Sequence, residues 1–125
     1  MYKSLVHVAR QICDIARKRE KRDRHGIVSF REVIDTPHSP YEDQLFEILN
    51  TLDLEEVMAI QTIMYLGRDR DFNSSLTADE VFLNYNNYIK SLGVKDKDLE
   101  ISQIVQKMPL AKYLTEGYKI LGIEL

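Results

Sequence analysis

Residues 69–80 carry side chains whose types and spacing resemble those of a calcium-binding loop. Carboxylate or amide groups stand at the first, third, fifth and twelfth positions of this segment, and these candidate ligands are Asp69, Asp71, Asn73 and Glu80. Calcium takes about six to eight oxygen ligands, and this spacing can wrap oxygens around one point. By residue type alone, a calcium loop is one interpretation of the segment.

Two features of the same segment oppose calcium binding. The sixth position, where such a loop turns sharply and glycine is preferred, is Ser74. Gly67 is expected to end the preceding helix before the loop begins. Thr77 and Glu80 stand three residues apart, which is the spacing of a capping box. We therefore predict a polar loop that leads into a helix, and no metal site.

Residues 17–24 form a basic segment with six basic and two acidic side chains. Its cations are Arg17, Lys18, Arg19, Lys21, Arg22 and Arg24. They could contact the phosphates of a nucleic acid. The alternative is a solvated helix end, where cations suit the negative pole of the helix dipole. We favour the helix end, because no aromatic side chain interleaves the run and the whole chain has a net charge of −3.

Signatures of catalysis are absent from the sequence. It contains no glycine-rich phosphate loop, no nucleophile elbow and no histidine pair at metal-binding spacing. Adjacent acids occur at Glu55-Glu56 and Asp79-Glu80, but both pairs stand at predicted helix starts, where negative charge is favoured. We predict no catalytic residue and no cofactor.

The spacing of apolar residues predicts an all-α fold: one compact domain of five or six helices with short loops. The first helix is predicted over about residues 2–19. Together with the basic run that follows, it makes up the amphipathic N-terminal helical segment, residues 1–26, which has a basic end. Its apolar stripe consists of Leu5, Val8, Ala9, Ile12, Ile15 and Ala16. Residues 39–122 form the helical core. Residues 54–66 are apolar on nearly all sides, which predicts the central helix.

Capping residues and glycines predict where the core helices begin and end. Helix starts are predicted at Ser39-Pro40 and at the caps Asp53, Thr77 and Asp98. Helix ends are predicted at Gly67, Gly93 and Gly122, whereas Gly117 lies inside the last helix and indicates a close helix crossing. The helix after Thr77 is expected to bury Val81, Phe82, Tyr85, Tyr88, Ile89 and Leu92. Residues 27–36 fit either a short helix or an extended segment.

Cysteine use and charge predict a cytoplasmic protein. The single cysteine, Cys13, cannot form an intramolecular disulfide, which fits a reducing compartment. Charged residues interrupt the first ten positions, so they lack the apolar core of a signal peptide. No apolar run is long enough to span a bilayer, and we predict no membrane partner.

Short motifs in the C-terminal two-thirds are similar to those of a known family. The motifs of the central helix are Leu54-Glu55-Glu56-Val57-Met58-Ala59 and, further along, Tyr65-Leu66-Gly67-Arg68. Those of the last helix are Met108-Pro109-Leu110, followed by Tyr113-Leu114 and Glu116-Gly117. Over residues 52–122 the pattern resembles the bacterial domain-of-unknown-function family 3775. The resemblance implies a helical fold without an established activity. It also draws attention to the turn at Gly67 and Arg68, where this chain has Asp69 in place of the family's glycine.

Arg68 therefore has two interpretations. As a cation in the last turn of the central helix it would complement the helix dipole. As an exposed guanidinium it could instead contact an anionic ligand or a partner. The first interpretation requires nothing beyond the fold, and the second stays open.

The sequence favours a non-enzymatic protein-interaction domain, because its apolar pattern predicts a hydrophobic core and no motif predicts a reaction site. We predict that the first helix covers its apolar stripe either on a second copy, giving a homodimer, or on its own bundle. The alternative function is nucleic-acid association through residues 17–24. A third is a ligand-binding or catalytic site around Arg68.

Overall fold

The computed structural model describes residues 1–25 and 40–125, with side chains for residues 1–21 and 40–125. A 3₁₀ turn, Tyr2–Leu5, leads into the first of six α-helices in this part of the chain. The helices are α1 (Val6–His25), α2 (Pro40–Asn50), α3 (Leu54–Asp69), α4 (Ala78–Ser91), α5 (Lys97–Val105) and α6 (Leu110–Ile120). The described residues contain no strand, so the predicted all-α bundle is confirmed. None of these helices is long and apolar enough to cross a membrane.

Helix α3 is the central element, as its apolar sequence predicts. It packs against α4, α5 and α6 and also contacts the 3₁₀ turn. Its buried side chains occupy every side of the helix: Val57, Met58, Ala59, Ile60, Gln61, Thr62, Ile63, Met64 and Leu66. The contact of α3 with α6 is the most extensive in the bundle.

Helix α1 covers its apolar stripe on its own chain. It packs against α2 and α6, and the stripe is buried at Leu5, Ala9, Ile12 and Ala16 and half-buried at Val8 and Ile15. Of the two predicted ways to cover this stripe, the structure shows the intramolecular one. The helix also continues to His25 instead of ending near Arg19, because the charged side chains of its last turns form helix as readily as the apolar ones.

Two predicted caps are confirmed, and one is corrected. Asp53 begins α3 and Thr77 begins α4, each as part of a reciprocal capping box. Helix α5 is capped by Asp96 and not by Asp98, since Asp96 has the extended backbone of a cap and its carboxylate accepts a hydrogen bond from the Leu99 amide at 3.0 Å. Helix α2 begins at Pro40 as predicted. The predicted cap Ser39 and the segment 27–36 lie outside the described residues.

The prediction that Gly67 ends the central helix is wrong. Helix α3 continues to Asp69, and its C-cap is Arg70 in the left-handed region with φ 54°. Gly67 is buried where α3 crosses α6: a Cβ at this position would lie 1.9 Å from the backbone oxygen of Tyr113. The glycine therefore serves the helix crossing rather than the helix end.

The close crossing predicted at Gly117 is confirmed. A Cβ on Gly117 would lie 2.0 Å from the backbone oxygen of Ile63. Two glycines, one on each helix, thus allow the backbones of α3 and α6 to approach within a distance that excludes any side chain.

Candidate binding cleft beside Arg68

An open cleft of about 350 Å³ lies between α3, α4 and α5. Besides Asp69 at the end of α3, three side chains from one face of that helix line the cleft, at spacings of four and three residues, because those positions share a helix face. They are Gln61, Tyr65 and Arg68. Tyr88 and Ile89 contribute from α4, Leu92 from the C-cap of that helix, Glu100 and Gln103 from α5, and Lys95 from the connection between α4 and α5. The structure thus places the sequence candidate Arg68 in a cleft together with residues that come from 20 or more positions away in the sequence.

Arg68 is held in place by a ring and a carboxylate. Its guanidinium carbon lies 4.5 Å from the centre of the Tyr65 ring, an attractive cation–π geometry. Its Nε donates to Asp69 Oδ1 at 2.8 Å and its Nη2 to Oδ2 at 3.4 Å. These bonds raise the pKa of Arg68. Arg68 is therefore a positioned, largely neutralised cation rather than a free one.

Asp69 is correspondingly fixed as a carboxylate. Its hydrogen bond with Arg68 is the largest cause of a lowered pKa, and a further bond from the Tyr85 hydroxyl at 2.8 Å acts in the same direction. Burial and the bond to Asp69 raise the pKa of Tyr85 above its usual range. Asp69 therefore stays ionised and accepts hydrogen bonds, which makes it unsuited to donate a proton near neutral pH.

The floor of the cleft contains a pair of buried polar side chains. Gln61 is 4% exposed and Glu100 is 5% exposed. The Gln61 Nε2 donates to the Glu100 backbone oxygen at 3.3 Å and to its Oε2 at 3.0 Å. Among the described residues, neither Glu100 Oε1 nor Gln61 Oε1 has a hydrogen-bond partner. Two acceptor oxygens at the floor are therefore unused by the protein.

The rim of the cleft is apolar and exposed. Tyr88 is 54% exposed and Leu92 is 67% exposed, so the prediction that both belong to the buried face of α4 is wrong. The buried face is instead rotated toward Asn86, whose Oδ1 accepts a hydrogen bond from the Thr62 hydroxyl at 2.9 Å. Tyr88 also stacks obliquely on Tyr85, with the ring centres 5.7 Å apart.

Tyr88 separates the cleft from a second hollow of about 310 Å³. That hollow lies between α4 and the loop before it, and its lining includes Phe72, Asn84 and Tyr85. Because Tyr88 lines both depressions, they lie next to each other on α4. We call this surface, from Phe72 through Tyr88 to Leu92, the Tyr88 surface.

The calcium-like segment forms a capped loop. Glu80 accepts from the Thr77 backbone amide at 3.2 Å, and the Glu80 amide donates to Thr77 Oγ1 at 3.2 Å, so the predicted capping box is confirmed. Asp69 is engaged by Arg68, and Asn73 Oδ1 accepts from the Ser75 amide and hydroxyl. In the part of the chain that the structure describes, no three His, Cys, Asp or Glu side chains are grouped to hold a metal ion.

The basic segment does not present all its cations to solvent. Arg19 is 3% exposed and donates to the backbone oxygens of Val105 at 2.7 Å and Lys107 at 3.1 Å. The Val105 carbonyl belongs to the last residue of α5 and the Lys107 carbonyl lies just beyond it, where no intrahelical donor is available. Arg17, Lys18 and Lys21 are exposed, and the side chains of Arg22 and Arg24 lie outside the described set. Arg19 thus ties α1 to α5.

Three residues of the cleft were missed by sequence reasoning. Gln61 gave a usable signal, because it is a long polar side chain inside an otherwise apolar helix. Glu100 gave none, since an acid in the first turns of a helix is ordinary. Tyr88 was assigned to the core together with its neighbour Ile89, because helical spacing does not tell which of two adjacent apolar residues is buried.

No protein-family model, curated protein or solved structure matches this chain. The geometry of the cleft is therefore the basis for assigning a function.

Proposed function

We propose that this protein is a non-enzymatic interaction domain that binds a segment of a partner protein on the Tyr88 surface. The observation that carries the proposal is the exposure of Tyr88 and Leu92 at the rim of the cleft. Tyrosine is enriched in protein interfaces because its ring is apolar and rigid while its hydroxyl remains hydrogen-bonded. Exposed apolar side chains around a depression are typical of an interaction site.

The charges around the rim define the chemistry of the partner. The cleft contains two cations, Arg68 and Lys95, and two carboxylates, Asp69 and Glu100, so its formal charge is zero. Such a surface does not attract a strongly charged polymer by long-range steering. It suits a segment with an apolar side chain for the Tyr88–Leu92 edge and polar side chains of both signs beside it.

A phage-displayed library of random peptides tests this proposal. We expect selection on the wild-type domain to enrich peptides that lose binding to Leu92→Ser, because the substitution removes the exposed apolar edge. Leu83→Ser is the matched control: Leu83 lies on α4, the helix that Leu92 caps, is 55% exposed and does not line the cleft. Enriched peptides should bind the control as well as the wild type. Enrichment that Leu92→Ser and Leu83→Ser affect equally, or no enrichment, would contradict the proposal.

A second copy of the chain is the competing occupant. The α1 stripe is covered within the chain, so we expect a dimer to use a surface other than the one predicted on the first helix. Light scattering on the wild type before selection distinguishes the cases. A monomer leaves the surface to a different partner, whereas a dimer abolished by Leu92→Ser makes the second copy the partner.

Nucleic-acid association through residues 17–24 has less support. Arg19 is occupied with backbone carbonyls of the bundle, which leaves fewer cations for phosphates. We retain two further proposals from the sequence. One is the similarity of residues 52–122 to the helical bacterial family. The other is a cytoplasmic location, with which the buried, unpaired Cys13 is compatible.

A further inference from the structure

We infer that the floor of the cleft binds a cationic group, and that this group is a lysine or arginine side chain of the partner segment. That the cation comes from a partner protein rests on the proposed function. The site itself is inferred independently, from the Gln61–Glu100 pair. Binding would place an ammonium or guanidinium group against Glu100 Oε1 and Gln61 Oε1.

Glu100 is a buried carboxylate without a counter-ion. It is 5% exposed, and no Lys, Arg or His nitrogen forms an ion pair with it among the described residues. The unpaired oxygen of this carboxylate is not among the fully buried atoms of the described residues, so it faces the open cleft, where an incoming cation can reach it. The Gln61 amide satisfies one carboxylate oxygen and leaves the other available.

A second unused acceptor, on Gln61, also favours a cationic ligand. Gln61 directs its amide nitrogen to Glu100, so its Oε1 remains as an acceptor on a residue that is 4% exposed. Two acceptors, one of them charged, favour a ligand with several donors and a positive charge. An ammonium group offers three donors and a guanidinium five, whereas a carboxylate or phosphate offers none.

Among the described residues, no cation in the cleft or beside it forms an ion pair with Glu100. Arg68 is two helical turns from Gln61, roughly 10 Å along α3, and its charge is matched by Asp69. Lys107 lies over the Tyr65 ring at 5.6 Å. Lys95 lines the cleft but makes no ion pair within the described residues, and it suits an acidic group on the same partner segment.

A pair of small probes tests the cation site without a known partner. Nα-acetyl-lysine methylamide carries the ammonium group, and Nα-acetyl-norleucine methylamide has the same chain without it. We expect the lysine probe to shift the Gln61 side-chain amide resonances in an NMR titration of the wild-type protein, and the norleucine probe to leave them unchanged. Equal effects of both probes, or no effect of the lysine probe, would overturn the inference.

Protein variants locate the effect at Glu100. Glu100→Gln keeps the size of the side chain and removes its charge, so affinity for the lysine probe should fall at least about tenfold. Asp98→Asn is the matched control, because it removes one charge from an exposed position of the same helix. It should change affinity by less than about twofold. An equal loss in both variants would count against the site. If Glu100→Gln fails to fold, the two probes on wild type decide the question alone.

The peptide selection separates this inference from the proposed function. Peptides that require Leu92 but tolerate Glu100→Gln and contain no basic residue would leave the interaction domain standing and remove the cation site. A lysine probe that binds at Gln61 while no peptide is enriched would support the site and remove the protein partner.

Discussion

The two sides of helix α3 are built in opposite ways. Toward α6 the helix backbones meet at Gly67 and Gly117, with no room for a Cβ. Toward α4 and α5 the same helix borders an open cleft of about 350 Å³ with unused polar acceptors. On the side of α6 the helices are packed backbone to backbone. On the other side the packing is interrupted by the cleft, which polar and apolar side chains line.

This difference separates stability from recognition within one element. The α3–α6 crossing contributes dense packing, in which even one added methyl group cannot be accommodated without movement. The cleft side contains the Glu100 carboxylate, which lacks a counter-ion among the described residues, and apolar side chains that remain in contact with water. Neither feature stabilises the folded state as buried apolar contacts do. We therefore expect substitutions on the α6 side to change the free energy of unfolding and substitutions on the cleft side to change binding.

The largest effect is expected at the crossing. Gly117→Ala should destabilise the protein by about 3 kcal/mol, because the new Cβ would overlap the Ile63 carbonyl and force the helices apart. Urea unfolding measures the change. The usual effect of this substitution inside a helix is a stabilisation of about 1 kcal/mol, so a stabilised variant would show that the helices do not approach as closely as described. Lys112→Ala, at an exposed position of α6, is the control and should change stability by less than about 0.5 kcal/mol.

The next effect concerns the attachment of α5, which forms one wall of the cleft. Arg19→Ala should cost about 2 kcal/mol, because the carbonyls of Val105 and Lys107 lose charge-assisted hydrogen bonds in a buried setting. Lys18→Ala removes the neighbouring, exposed cation and should have little effect on thermal unfolding. Equal costs for the two variants would mean that Arg19 is a surface cation and that α5 is not anchored by α1.

A smaller, pH-dependent effect is expected at the Arg68–Asp69 pair. The pKa of Asp69 is lowered in the folded protein by Arg68. Its stabilisation is therefore present above the ordinary carboxyl pKa and is lost as the pH falls through the lowered value. Asp69 is 36% exposed at its side chain, so solvent screening limits the contribution to less than about 1 kcal/mol.

Comparison of Asp69→Asn with wild type over a range of pH measures this contribution. The variant should be less stable near neutral pH, and the two proteins should converge in acid. A difference that persists unchanged in strong acid would show that the charge of Asp69 is not its cause.

The smallest effect on stability is expected at the rim of the cleft. Leu92→Ser should change the free energy of unfolding by less than about 0.5 kcal/mol, because Leu92 is 67% exposed. Leu83→Ser should behave in the same way in chemical denaturation. A cost above about 1 kcal/mol for Leu92 alone would return this residue to the core and remove the contrast between the two sides of α3.

The sequence by itself determined the helices and the central position of α3. Apolar side chains on every side of residues 54–66 require neighbours on every side. The capping boxes at Asp53 and Thr77 are local structures, each completed by a glutamate three positions further along the chain. Intramolecular covering of the α1 stripe was one of two outcomes that the sequence left open.

Only the tertiary structure decided how each helix is rotated and what its exceptional residues do. Gly67 has the sequence signal of a helix end, but the approach of α6 decides that it lies inside the helix. Arg19 is one of six cations in its segment, and it is buried because the carbonyls at the end of α5 lie within its reach. Asn86 is buried against α3, where it is hydrogen-bonded to Thr62, whereas Tyr88 is exposed. In each case the deciding partner is more than 20 residues away in the sequence, so periodicity within one helix carries no information about it.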